Sequence, residues 1–186
     1  MQTEIILAGF GGQGIMFAGQ ILSYAAMDAG REVTWIPSYG PEMRGGTANC
    51  TVVIADDEIG SPVVKNPDAV LAMNLPSLDK YEPLVKPGGA LVINASMVDR
   101  PARRTDIITV AIPCNDIAEE IGNPRLANMV AIGALLASLP VLAVTDLEAA
   151  LNAHMPGRHK ALLPKNVEAL KRGEEFAKKI LKPVKA

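Results

Sequence analysis

"IILAGFGGQG", residues 5–14, places four apolar positions ahead of a segment in which four of six residues are glycine. The apolar run reads as a buried strand, and the pattern from Ile15 to Ala29 reads as a helix. Glycine loses more backbone entropy on folding than any other residue, so this density implies a geometric demand. Gly9, Gly11 and Gly14 fit G-x-G-x-x-G between strand and helix, where glycines make the tight turn, admit a close backbone and let the helix pack on the sheet. The first amides of the following helix then face an anion or a neighbouring chain. A nucleotide phosphate, a neighbouring element's backbone, a partner protein and a plain turn without ligand all satisfy the motif.

The surrounding chain sets this unit in an alternating pattern. Strands are expected at 3–8, 32–36, 47–54, 69–73, 90–94 and 107–111, and helices at 15–29, 115–121, 125–139, 146–153 and 164–181. Residues 69–73 and 90–94 are apolar throughout, as strands covered on both faces of a parallel sheet require. The segment 47–54 follows a loop with no helix, which leaves no room for a parallel crossover. The expected fold is α/β: a three-layer, Rossmann-like sandwich spanning 1–186 as one module, its sheet mostly parallel with at least one antiparallel strand. Gly30 reads as a left-handed helix cap, and Thr145 with Glu148 as a capping box. Met16, Met27 and Met129 fall on apolar faces and read as core.

Composition excludes several classes. Hydrophobic residues at 49% against 20% charged argue for a packed core and against disorder. Eighteen basic and twenty acidic side chains leave a net charge of −2, which argues against nucleic acid as a partner. The run from Lys165 to Lys185 is interleaved with glutamates and reads as a solvated helix face. No secretory leader is read at the start, and the longest apolar stretch, 126–139, is too short and too interrupted to span a bilayer. No membrane contact and a cytoplasmic location are expected. Cys50 and Cys114 are too few for an iron–sulfur cluster and stand in no C-x-x-C arrangement.

A dinucleotide site also needs an acid at the carboxyl end of the second strand. That end carries Pro37 and Ser38, and Glu32 lies at the opposite end, which weakens a nicotinamide reading. The loop that follows holds Ser38, Tyr39, Glu42, Arg44, Gly45 and Gly46 and should face the first glycine loop. Arg44 offers a bidentate fork for a phosphate or carboxylate, the bland alternative being a Glu42–Arg44 surface pair. Asn74 and Asn94-Ala95-Ser96 stand at strand ends, where α/β proteins bind ligands. Asn128, inside an apolar helix, should bond a neighbouring loop rather than a ligand. His154 and His159 lack metal spacing, and Arg100, Arg103 and Arg104 read as a solvated loop, with an adenosine phosphate as the sharper alternative.

Taken together, "GFGGQG" (9–14), "IPSYGPEMRGGTANCTVVI" (36–54), "NPDAVLAMN" (66–74) and "GNPRLANMVAIGALL" (122–136) resemble the gamma subunit of 2-oxoacid:ferredoxin oxidoreductases, above all the 2-oxoglutarate and branched-chain types. The resemblance runs over residues 3 to 175. It implies a subunit of a complex that converts a 2-oxoacid and coenzyme A to acyl-CoA, carbon dioxide and reduced ferredoxin. It further implies alpha, beta and ferredoxin-like delta partners, with ferredoxin met only indirectly. Thiamine diphosphate and magnesium then lie between alpha and beta, and the iron–sulfur clusters in beta and delta. This chain alone holds none of them; it contacts coenzyme A and supports assembly. Carried over onto matching positions, the family's site comprises Gly9, Gly11, Gly12, Gln13, Gly14, Ser38, Tyr39, Glu42, Arg44, Gly45 and Gly46, with Asn74 added by position. Gly12 and Gln13 would approach a partner chain or the pantetheine arm, and Tyr39 and Arg44 would orient the subunit junction. No catalytic residue and no metal ligand is expected here. The competing readings are a self-sufficient nicotinamide or flavin oxidoreductase and a CoA- or nucleotide-binding scaffold.

Overall fold

A strand that is apolar on both faces has no solvent side, and β1 (Gln2–Phe10) accordingly lies inside a six-stranded sheet of order β2–β3–β1–β4–β5–β6. The computed structural model describes residues 1–40 and 46–181, the Arg158 side chain excepted. The other strands are β2 (Glu32–Tyr39), β3 (Thr47–Ala55), β4 (Ala69–Ala72), β5 (Ala90–Asn94) and β6 (Ile108–Ile112). β4 pairs in parallel with both β1 and β5, and β5 with β6. The antiparallel strand is β3, inserted between β2 and β1 and running against both, from Phe10↔Thr47 to Gln2↔Ala55 on the β1 side. Its reversed direction ends it beside the start of β1, at the edge where β4 begins, so residues 56–68 connect the two without a helix.

Helices α1 (Ile15–Asp28), α3 (Cys114–Glu120), α4 (Ala127–Ser138), α5 (Val144–His154) and α6 (Leu163–Leu181) are held by a core that includes Ile5, Leu7, Val52, Leu71 and Val92. Under the opposite face, α2 (Leu75–Tyr81) covers Ile6, Ala8, Val70, Leu91 and Ile93. The three layers are therefore unequal. β2 forms a sheet edge, and Ile36 there is 43% exposed. No helix among the described residues is long and apolar enough to cross a membrane.

Several expectations need correction. The short helix α2 escaped the periodicity reading; Asn74 caps it, accepting from Ser77 N at 2.9 Å, with Pro76 in its first turn. The helix placed at 146–153 starts earlier, with Ala143 as N-cap and Asp146 accepting from Ala143 N at 2.8 Å, so Thr145 and Glu148 form no capping box. Met27 is 56% exposed, whereas Met129 is buried. The loop of Arg100, Arg103 and Arg104 is not simply solvated. It is part of a helix-free crossover between β5 and β6, whose backbone must find partners outside itself. Glu82, 2% exposed, supplies them by accepting from the Arg103 and Arg104 amides, while Arg100 reaches the same carboxylate at 2.9 Å. Arg104 in turn pairs with Asp106, and Arg103 comes within 3.9 Å of Asp79, so all three arginines reach carboxylates of this chain.

Burial alone would raise the Glu82 carboxyl; the Arg104 and Arg103 amides and the Arg100 guanidinium outweigh it and hold it below its ordinary value of 4.5. A depressed folded value means that this carboxylate stabilises fully above pH 4.5 and loses its contribution as pH falls through the folded value. Glu82→Gln is expected to cost about 2 kcal/mol at pH 7, as charge-assisted hydrogen bonds do. In urea unfolding, the gap between the two proteins should narrow as pH is lowered progressively below 4.5. A gap that does not change with pH refutes the assignment.

Candidate functional site

The glycines at the end of β1 serve separate purposes. Gly9 is still within the strand, opposite Ala48, and a Cβ there would lie 2.6 Å from Gln13 Oε1 and 3.0 Å from Met73 Cβ. Its bareness makes room for Gln13. That side chain folds back: Oε1 accepts from Phe10 N at 2.6 Å and Asn74 Nδ2 at 3.3 Å, while Nε2 donates to Met73 O at 3.3 Å. Gln13 thus ties the ends of β1 and β4 to the cap of α2, and its amide is engaged within the chain rather than extended toward a partner. Asn74, 1% exposed, is likewise occupied as a cap. Asn94 continues the row, donating to Asn115 Oδ1 at 2.9 Å and accepting from Cys114 N at 3.2 Å.

Gly14 is the N-cap of α1 in the left-handed region, φ 73°, where a Cβ would lie 2.5 Å from Asn128 Nδ2. Asn128 donates to Gly14 O at 3.0 Å, the loop contact expected of a buried amide in an apolar helix. Gly11 N donates to Gly46 O at 2.9 Å, joining the two glycine loops as the sequence suggested. Gly12 differs from all of these. It has φ 99°, is exposed, and no described residue lies within 4 Å of where its Cβ would stand.

Gly11, Gly12, Gly14, Met16, Phe17 and Tyr39 line an open groove of ≈ 340 Å³. Tyr39 is 59% exposed on its rim, at the end of β2 beside the exposed Ser38. α1 opens onto the groove with no side-chain cap and no acid in its first turn, so no side chain of its own offsets the positive end of its dipole. Glu42, Arg44 and Gly45 lie outside the described residues. Phe17 carries no motif; only its position one turn into α1 could have marked it.

A dinucleotide reading meets a topological obstacle. β3 stands between β1 and β2, which sets the end of the second strand about 10 Å from that of the first, two strand spacings away. The ribose-binding acid of a dinucleotide fold belongs on the adjacent strand. Cys50 and Cys114 are both buried; desolvation pushes the Cys50 thiol up to about 12, against a smaller lowering by the Trp35 indole, and pushes Cys114 up as well. No three His, Cys, Asp or Glu residues gather as a metal site among the described residues. His154 stacks on Tyr24 at 4.2 Å and meets Asp28 at 2.9 Å, pinning α5 to α1.

Residues 4–176 match the family described as pyruvate ferredoxin/flavodoxin oxidoreductase. The 2-oxoglutarate synthase subunit KorC of Methanocaldococcus jannaschii is 37% identical over 183 residues, covering 97% of this chain and 96% of that protein. Ketoisovalerate oxidoreductase subunit VorA of Methanothermobacter marburgensis is 35% identical over 185 residues, yet this chain spans only 37% of its length. Among solved structures, the gamma subunit of a keto/oxoacid ferredoxin oxidoreductase from Geobacter sulfurreducens superposes with a TM-score of 0.81 at 32% identity, over 95% of this chain and 99% of that one. The 2-oxoglutarate:ferredoxin oxidoreductase of Magnetococcus marinus, solved with 2-oxoglutarate, coenzyme A and succinyl-CoA, gives 0.85 at 28% identity over 96% of this chain and 31% of that chain. On its sequence and on its fold alike, this chain belongs to the pyruvate ferredoxin/flavodoxin oxidoreductase family.

Proposed function

We propose that this chain is the gamma-type subunit of a 2-oxoacid:ferredoxin oxidoreductase, working in a complex that turns a 2-oxoacid and coenzyme A into acyl-CoA and carbon dioxide and passes the electrons to ferredoxin. The observation that carries this is the double form of its relatives. The same module stands nearly alone in KorC and the Geobacter subunit, and forms about a third of a longer chain in VorA and the Magnetococcus enzyme. A module found both free and fused works beside the polypeptide to which it is elsewhere joined.

On this reading alpha, beta and delta chains carry thiamine diphosphate, magnesium and the iron–sulfur clusters. Coenzyme A suits the groove in kind: bare main chain at Gly12, the uncapped head of α1 and the Tyr39 ring suit a phosphorylated, amide-bearing ligand. On this reading Gly12 and Tyr39 are its contacts. The complex is placed in the cytoplasm.

Affinity purification of the tagged chain, co-expressed with the thiamine-diphosphate and ferredoxin-like chains of its source, tests the reading. Alpha and beta are expected at equal stoichiometry with it, together with CoA-dependent ferredoxin reduction. A chain that elutes alone from cells containing all partners overturns it.

A further inference from the structure

On the far side of Phe17 from the glycine groove lies a second cleft, of ≈ 240 Å³, between the start of α1, the end of α5 and the start of α6. Phe17, Leu126, Met155 and Leu162 form its apolar wall, and His159 and Asn123 stand among its polar lining. Two buried amide side chains, Asn128 and Asn166, stiffen it by bonding Gly14 O at 3.0 Å and Leu162 O at 2.8 Å. Arg125 stands on the rim, and no carboxylate is among the lining residues. The arginine is unusual within this molecule. Arg31, Arg100, Arg103, Arg104 and Arg172 each reach a carboxylate, whereas Arg125 reaches none among the described residues. An exposed guanidinium loses little by standing unpaired in water, but at the mouth of an apolar cleft it supplies a planar, two-pronged anion site.

We propose that this cleft binds a small carboxylic acid with an apolar chain, its carboxylate on Arg125 and its chain against Phe17, Leu126 and Leu162. At ≈ 240 Å³ the cleft lies below the roughly 300–1,000 Å³ of sites for drug-sized ligands, which suits a small acid. The proposal is independent of the functional reading above, because binding needs only this chain. Phe17 lines both cavities, so a ligand here abuts the first turn of the helix that heads the glycine groove.

The test uses the full chain, titrated with 4-methylpentanoate, with its neutral analogue 4-methylpentanamide, and with acetate, by calorimetry and by amide chemical shifts. The acid is expected to saturate with a Kd on the order of 1 mM and to shift Phe17, Leu126 and Asn166. The amide should bind at least about tenfold more weakly, one charged contact's worth, and acetate not saturably. Arg125→Gln should reduce acid binding to the level of the amide with an unchanged melting curve, since the residue is exposed. Leu162→Trp should abolish both by filling the cleft. Equal binding of acid and amide, an unaffected Arg125→Gln protein, or shifts confined to other surfaces would overturn the proposal.

Discussion

Gly173→Ala lowers the melting temperature by roughly 12 °C, about 4 kcal/mol in a chain of this size. Helix propensity alone points the other way, since alanine is preferred over glycine inside a helix by about 1 kcal/mol. Close packing decides the sign. A Cβ on Gly173 in α6 would lie 1.9 Å from Val130 O and 2.8 Å from Val130 C of α4. The contact is reciprocal: a Cβ on Gly133 would lie 2.0 Å from Leu170 O. Both obstacles are backbone, so no rotamer change relieves them, and the helices must move apart. Separation would open gaps around Ala169, Leu170 and Ala177, each wholly buried, and forfeit their contacts. Gly157→Ala, with nothing within 4 Å of its Cβ, provides the comparison and should melt like the parent. Circular-dichroism melts decide, and equal midpoints for the two variants would show that the crossing yields at little cost.

That crossing was legible only in part. Ala169, Gly173 and Ala177 recur every four residues, the spacing that lets a helix approach another closely, yet the same run of lysines and glutamates reads as a solvated face. Periodicity located the strands because burial on both faces leaves an uninterrupted apolar run, as at 69–72. The direction of β3 followed from a missing helix, a local fact. Its place between β2 and β1 did not, because strand order is settled by pairing between distant segments. The glycine loop divides in the same way. Its strand–turn–helix setting was readable, but Gly9 is bare on account of Gln13 and Gly14 on account of Asn128, a neighbour far along the chain. The loop of Arg100, Arg103 and Arg104 looked solvated because its carboxylate partners Asp79 and Glu82 belong to another element. Arg125 gave no signal in the sequence, since an arginine matters there only by lacking the counter-ion that the others have.

Gly12 separates a structural loop from one built to receive another molecule. Gly12→Ala and Gly12→Trp impose the same backbone penalty, because φ 99° strains any L residue by about 1–2 kcal/mol. The Cβ that both variants share meets no described residue within 4 Å in the isolated chain, and residue 12 is exposed. Their melts should therefore agree with each other, a few degrees below the parent. In the assembled complex, on the functional reading above, that space is filled by coenzyme A or a partner chain. CoA-dependent turnover should then fall about tenfold for alanine and at least about a hundredfold for tryptophan, the latter near 2.7 kcal/mol of lost transition-state binding. The difference between the two variants carries the information, since strain is common to both and side-chain bulk is not. A rise in KM for coenzyme A with subunit stoichiometry intact would assign the contact to the cofactor, and loss of co-purification would assign it to the partner chain. Equal turnover for the two variants would mean that nothing approaches this glycine, and that its conformation alone explains its presence.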